Sequence, residues 1–294
     1  MRTLFTSSRR ACLAFVIAAL ALCRGPAFAH DGVDEQLAAL SARIAQSPSD
    51  PALLVRRADL YRAGGHWTEA LADLDRAATL DPSATVTELL RAQVHLDAGI
   101  WTEASAAATR VLARQRNHQG AFLIRGRARA RLGMAREAAD DLTRALDTRP
   151  LPDIYLERAR LLAPLGRDGA AEALAGLDAG IVRLGPVATL ELEAIDIEVR
   201  LQRYDAALQR VDRLAAQAVR KESWHARRAA ILEQAGRRSE ARIAYQAALG
   251  AATANPRGAH QSRASRALIE EIRASLARLD GGTAASPHVL TRNR

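Results

Sequence analysis

From Pro51 onward, apolar and small residues recur at helical spacing and are interrupted at a fixed interval. Leu54, Ala58 and Tyr61 fall on one face of a helix, at steps of four and three. Gly64-Gly65 breaks that helix. Ala70, Leu74 and Ala77 mark the face of a second, and Asp81-Pro82 ends it, since proline cannot continue a helix. The pattern therefore predicts a pair of amphipathic helices joined by a tight turn.

The pair repeats. Trp67-Thr68-Glu69-Ala70 returns as Trp101-Thr102-Glu103-Ala104, a step of 34 residues. Arg57-Ala58 returns as Arg91-Ala92 and then as Arg125-Gly126, and Gly65, Gly99 and Gly133 keep the same step. Ala70, Ala104 and Ala138 do likewise, and a later unit restores Arg228-Ala229, Gly236 and Glu240-Ala241. Small residues such as Ala58, Ala70 and Ala77 are expected where the two helices approach most closely, because a larger side chain would overpack the junction. Two units are degenerate. Ala159, Gly166 and Ala171 or Ala173 suggest one, with one or two extra residues near Arg167-Asp168-Gly169. Tyr204 and Ala207 suggest the next, with Gln202 where a glycine is expected.

This series resembles the tetratricopeptide repeat (TPR). Ala58, Tyr61, Gly65, Ala70, Ala77 and Pro82 fill the family's places in the first unit, and Gly126, Gly133, Ala138, Ala145 and Pro150 in the third. The resemblance implies an all-α, right-handed superhelical solenoid of antiparallel helix pairs, with the first helix of each pair lining a concave face that takes a peptide or protein segment. The expected organisation is a leader at 1–29, an N-terminal capping helix at 30–50 and six repeats at 51–84, 85–118, 119–152, 153–187, 188–221 and 222–255. A C-terminal capping helix at 256–280 follows, with Leu268, Ile272, Leu276 and Leu279 on one face, and then a non-periodic tail at 281–294.

Composition adds little to this reading except at the N-terminus. Ala, Leu and Arg dominate and aromatics make up only 4%, which favours helix over strand. Arg2, Arg9 and Arg10 precede the apolar run Ala11–Cys23, and Ala27-Phe28-Ala29 offers the small residues of a cleavage site. This is the layout of a secretory signal peptide, and the run is short for a membrane span, which needs about 20 residues. An uncleaved anchor is the alternative. Ser8-Arg9-Arg10 also resembles a twin-arginine signal, but Cys12 stands where an aromatic is expected. Leu22 before Cys23 departs from a lipoprotein box. Four arginines lie before the cleavage site and no acid precedes Asp31, so the formal charge of +9 falls to +5 in the processed chain. Both cysteines are removed as well, leaving no disulfide, thiol nucleophile or cysteine metal site.

The chain shows no G-x-S-x-G, H-E-x-x-H, C-x-x-C or phosphate-binding glycine loop, so the reading is of a binding protein, not an enzyme, with no cofactor. Export and modest charge disfavour nucleic acid, and no stable membrane insertion is expected once the leader is gone. The expected partner is a protein or peptide, acidic if it uses Arg127, Arg131 and Arg160, which repeat geometry places together on the first-helix face. Val55, Leu89 and Leu123 form the apolar alternative on that face. Arg57, Arg91, Arg125, Arg158 and Arg228 read as structural ion-pair formers, with Asp73 and Asp141 as partners 16 residues on from Arg57 and Arg125. A reading of a different class gives the processed N-terminus, His30, a role in chelating Cu²⁺ or another divalent metal through its amine and imidazole, with Asp31 beside it.

Overall fold

Most of the helix pairs follow from the pattern above. The computed structural model describes residues 31–254 and 262–281, and among these there are 14 helices and no strand. The leader, His30 and the tail from Gly282 lie outside the described residues. The chain divides into two compact units, Met1–Arg114 and Gln115–Arg294.

The first unit holds α1 (Asp31–Gln46), α2 (Pro51–Ala63), α3 (Trp67–Leu80), α4 (Thr85–Asp97) and α5 (Trp101–Arg114). Asp50 caps α2 by accepting the Ala52 N–H at 2.9 Å, and Pro51 opens the helix, where its missing N–H costs nothing. Gly65 sits at φ +78° in the turn to α3, a conformation that glycine adopts freely. There the Gly64 N–H donates to the Leu60 carbonyl at 3.1 Å and the His66 N–H to that of Tyr61 at 2.8 Å. Leu54, Ala58, Ala70, Leu74 and Ala77 are all fully buried, as the small-residue pattern requires. The capping role of α1 is visible in Leu40 and Ile44, which pack on Leu53, Leu54 and Ala77.

The second unit holds α6 (Gln119–Arg131), α7 (Ala135–Thr148), α8 (Pro152–Leu162), α9 (Gly166–Leu184), α10 (Ala188–Arg200), α11 (Tyr204–Gln217), α12 (Glu222–Gln234), α13 (Arg238–Thr253) and α14 (Arg263–Asp280). The α14 helix closes the stack. Ser262 caps it through the Ser265 N–H at 3.0 Å, and Ile272 enters the core that Ile195, Ile231 and Tyr245 build. Gln202 stands at φ +59° in the turn before α11, the left-handed conformation glycine supplies at the same turn elsewhere.

The α8–α9 pair departs from expectation, and the extra residues fall in a different place. The α8 helix has 11 residues where most first helices have 13, and α9 runs for 19 where most second helices have 14. The insertion therefore extends the end of α9 instead of adding residues near Arg167-Asp168-Gly169. The closest approach falls on Gly169, where an added Cβ would stand 2.4 Å from the Leu162 carbonyl oxygen, while Ala171 is exposed.

Candidate functional site: the first-helix face

One arginine position recurs in five of the six helix pairs. The seventh residue of α2, α4, α6, α8 and α12 is an arginine, just before the small residue of the junction. Arg57 donates from Nε and Nη2 to both oxygens of Asp73, each at 2.7 Å, and from Nη1 to Ser41 of the capping helix at 2.9 Å. Arg125 grips Asp141 in the same two-pronged way, at 2.9 and 2.6 Å, and Arg129 adds a third contact at 2.8 Å. In α5 and α13 the matching residues are Ala107 and Ala244. There the arginine turns back to the preceding pair instead: Arg91 to Asp75, and Arg228 to Asp212 at 2.6 Å. Arg158 reaches Glu172 at 2.7 Å and Thr143 at 2.7 Å. These arginines clamp helices together, as the structural reading of them requires.

The clamps differ in depth, and so should their strengths. Asp141 is 3% exposed, whereas Asp212 lies on the surface. A double-mutant cycle on Arg125 and Asp141 should give a coupling of about 1–3 kcal/mol, in the range for hydrogen bonds to charged groups. The same cycle on Arg228 and Asp212 should give less than about 1 kcal/mol. Equal couplings at the two sites would reject burial as the deciding factor.

The expected basic cluster is broken up by partners. Arg127 pairs with Glu157 of α8 through two hydrogen bonds at 3.0 and 2.7 Å, and these bonds hold its guanidinium above the ordinary arginine pKa. Arg160 meets Glu193 of α10 at 3.2 Å. The next step reverses sign, with Asp196 of α10 accepting from Arg227 of α12. The first helices α6, α8, α10 and α12 are thus laced side by side by one ion pair each. Of the three arginines, only Arg131 is exposed without an ion-pair partner among the described residues. In the first unit Val55 is half-buried and packs into both local apolar clusters. Leu89, and Leu123 in the second unit, are half-buried as well.

A groove that the sequence did not reveal lies further along the same face. It encloses about 700 Å³ between α10, α12 and α14. Ile195, Ile231 and Ile272 form its floor, and half-buried Leu192, Val199 and Leu268 face the opening. The rim carries both signs of charge, including the Asp196–Arg227 pair, Arg200 and Glu271. At its base the Tyr245 hydroxyl donates to Glu233 at 3.1 Å, and burial pushes the phenol up to about 12, so it stays a donor at any ordinary pH.

A second feature missed in the sequence is the buried node around Arg210, the seventh residue of α11. Its guanidinium contacts Glu198 at 2.9 Å and Glu191 at 2.8 Å, both on α10, together with Asp178 of α9. At the matching position, α3 and α7 carry Asp73 and Asp141. Charge and counter-charge have exchanged helices, because the first-helix arginine is here replaced by Ala194. Burial raises the Glu198 carboxyl above its usual range, with Arg210 opposing the shift.

No family model matches the sequence, and no curated protein matches it. Solved structures do. The structure of Naa15/Naa10 bound to HypK-THB is similar with a TM-score of 0.53 at 17% identity, over 85% of this chain and 36% of that one. A tetratricopeptide repeat protein from Parabacteroides merdae is similar with a TM-score of 0.49 at 17% identity, over 84% of this chain and 94% of that one. YrrB, described as a TPR protein with an unusual peptide-binding site, gives 0.49 at 19% identity, over 71% and 98%. The fold is that of the tetratricopeptide repeat. In TPR terms, α2, α4, α6, α8, α10 and α12 are the first helices of their pairs, and the groove sits on the last two of these, bounded by the closing helix. Among the described residues no helix is long and apolar enough to cross a membrane.

Proposed function

We propose that this TPR chain is a non-enzymatic scaffold that holds an extended segment of another protein in the groove between α10, α12 and α14, and that it works outside the cytoplasm. The observation that carries this reading is the groove itself. Half-buried leucine and valine side chains face an opening of about 700 Å³ rimmed by charge, the composition of a recognition site. The export reading is supported by the charged start, the short apolar run and Ala27-Phe28-Ala29.

The rim argues for a partner whose affinity comes from apolar side chains, with charge setting its orientation. An acidic group on the partner would have Arg200 available at the rim, whereas Arg127 and Arg160, outside the groove, are committed to Glu157 and Glu193. Ala230 lines the groove from α12 and offers a site to fill it. Peptides selected for binding to the purified chain should carry two or more apolar side chains in an extended stretch. Ala230→Arg should weaken them at least about tenfold, or about 1.4 kcal/mol, and leave the thermal melt unchanged. Selected peptides that bind Ala230→Arg as tightly as the parent would place the binding site elsewhere.

A further inference from the structure

We infer that the groove takes a bipolar segment: an extended stretch of another protein with an acidic residue at one end, alternate apolar residues in the middle and a basic residue at the other, matched to Arg200, the apolar floor and Glu271. This deepens the groove reading and rests on it.

The first helices of the second unit are laced by a regular ladder. The ninth residue of one first helix pairs with the sixth residue of the next: Arg127 with Glu157, Arg160 with Glu193, and Asp196 with Arg227. The following rung would join the ninth residue of α12 to the sixth of α14. Those residues are Ala230 and Leu268, so this rung is apolar and one of its members is small. Both line the groove, which opens where the ladder of charges stops. An apolar side chain from outside can occupy that place without breaking an ion pair.

The charges left over on the rim have opposite signs on its two sides. Arg200, the thirteenth residue of α10, and Glu271, the ninth of α14, both line the groove and are exposed. Neither side chain has an ion pair or hydrogen bond among the described residues. The other groove charges are engaged, Asp196 with Arg227, and Glu233 with Tyr245 and Arg278. An incoming carboxylate is therefore favoured beside α10 and an incoming cation beside α14. A segment with one sign of charge meets repulsion on one side or the other.

Helix spacing sets the length of the motif. Crossing from α10 over α12 to α14 covers two interhelix distances, or about 20 Å. An extended chain covers that in about six residues, and its alternate side chains share a face. The expected motif is acid-x-apolar-x-apolar-x-base, with the apolar pair against Val199, Ala230 and Leu268.

Three end-blocked peptides test this: Asp-Ser-Leu-Ser-Val-Ser-Arg, and the same peptide with Asp at both ends or Arg at both ends. The parent chain should bind the Asp/Arg peptide at least about threefold more tightly than either of the others at low salt, the size expected for exposed ion pairs. That preference should fade at high salt. Arg200→Glu should make the Arg/Arg peptide the tightest of the three, and Glu271→Arg the Asp/Asp peptide. Both residues are exposed, so neither variant should lose stability. Arg131→Glu, an equal change of charge on α6 outside the groove, should keep the parent ranking. An unchanged ranking in Arg200→Glu and Glu271→Arg, or the same switch in Arg131→Glu, would overturn the bipolar reading, as would failure of all three peptides to bind where selected peptides do. If selected peptides stay sensitive to Ala230→Arg in that case, only this inference falls; if they are indifferent to it, the groove reading itself falls. A chain that sediments as a dimer, broken by Ala230→Arg, would assign the groove to a second copy and overturn both.

Discussion

Arg210→Met is expected to cost about 3–5 kcal/mol of stability, the largest loss of any single substitution considered for this chain. The reason is the company Arg210 keeps. Glu191 and Glu198 are 7% and 3% exposed, and the guanidinium is the counter-charge that both share. Removing it leaves two buried carboxylates facing each other. The effect carries a pH signature. The Glu198 carboxyl is already raised by burial, so its folded form holds a proton more tightly than its unfolded form. A raised carboxyl contributes stability that is present below its ordinary pKa and lost as pH rises through the folded value. Without Arg210 that pKa rises further, so the deficit of Arg210→Met should shrink as pH is lowered from about 7 to about 5. Replacing Arg210, Glu191 and Glu198 together by apolar residues of similar volume should recover most of the loss. Urea melts at the two pH values check both points, and a deficit below about 1 kcal/mol that does not change with pH would contradict the assignment.

Gly169→Leu should destabilise the second unit by about 3 kcal/mol, at the upper end for overpacking. The site has no room for even a Cβ, which would lie 2.4 Å from the Leu162 carbonyl oxygen and 2.9 Å from Leu165 Cβ. The obstruction is backbone, so rotation of a neighbouring side chain cannot relieve it. Relief requires α8 and α9 to move apart, and that breaks the Arg158–Glu172 contact between them. A variant with Leu at 171 instead should be near neutral, because Ala171 is exposed. A thermal melt that ranks the two substitutions the other way would show that the helix junction has been placed wrongly.

The contrast between these sites shows what could be read in advance. The helix pairs were legible because each depends on local chemistry. Gly65, Gly99, Gly133 and Gly236 all adopt φ near +80°, and Ala70, Ala104, Ala138 and Ala241 are all fully buried. Arg57 and Asp73, or Arg125 and Asp141, could be matched because both members recur at the same spacing. The long α9 escaped because nothing in its sequence marks the added turn. Gly176 and Gly180 look like breakers, yet they accommodate Arg158 and the Tyr155 ring, which an added Cβ would crowd at 2.4 and 3.0 Å. The Arg210 node escaped because the charge pair had swapped helices, so neither member stood at its usual place. The basic cluster was misjudged for a similar reason. Arg127 and Arg160 are the ninth residues of α6 and α8, and their partners Glu157 and Glu193 are the sixth residues of α8 and α10, but the offsets of 30 and 33 residues differ because the α8–α9 pair is irregular, and that hides the correspondence. The groove depends on where α14 comes to rest against α10 and α12, a tertiary fact that no local pattern encodes.

The central claim is that ligands lie along the first helices at the end of the second unit. Amide hydrogen exchange on the full chain, with and without a saturating selected peptide, measures this most directly. Protection on binding should concentrate in α10, α12 and α14, around Leu192, Val199, Ala230 and Leu268. Protection confined to the second helices α7, α9 and α11, with α10, α12 and α14 unchanged, would contradict it.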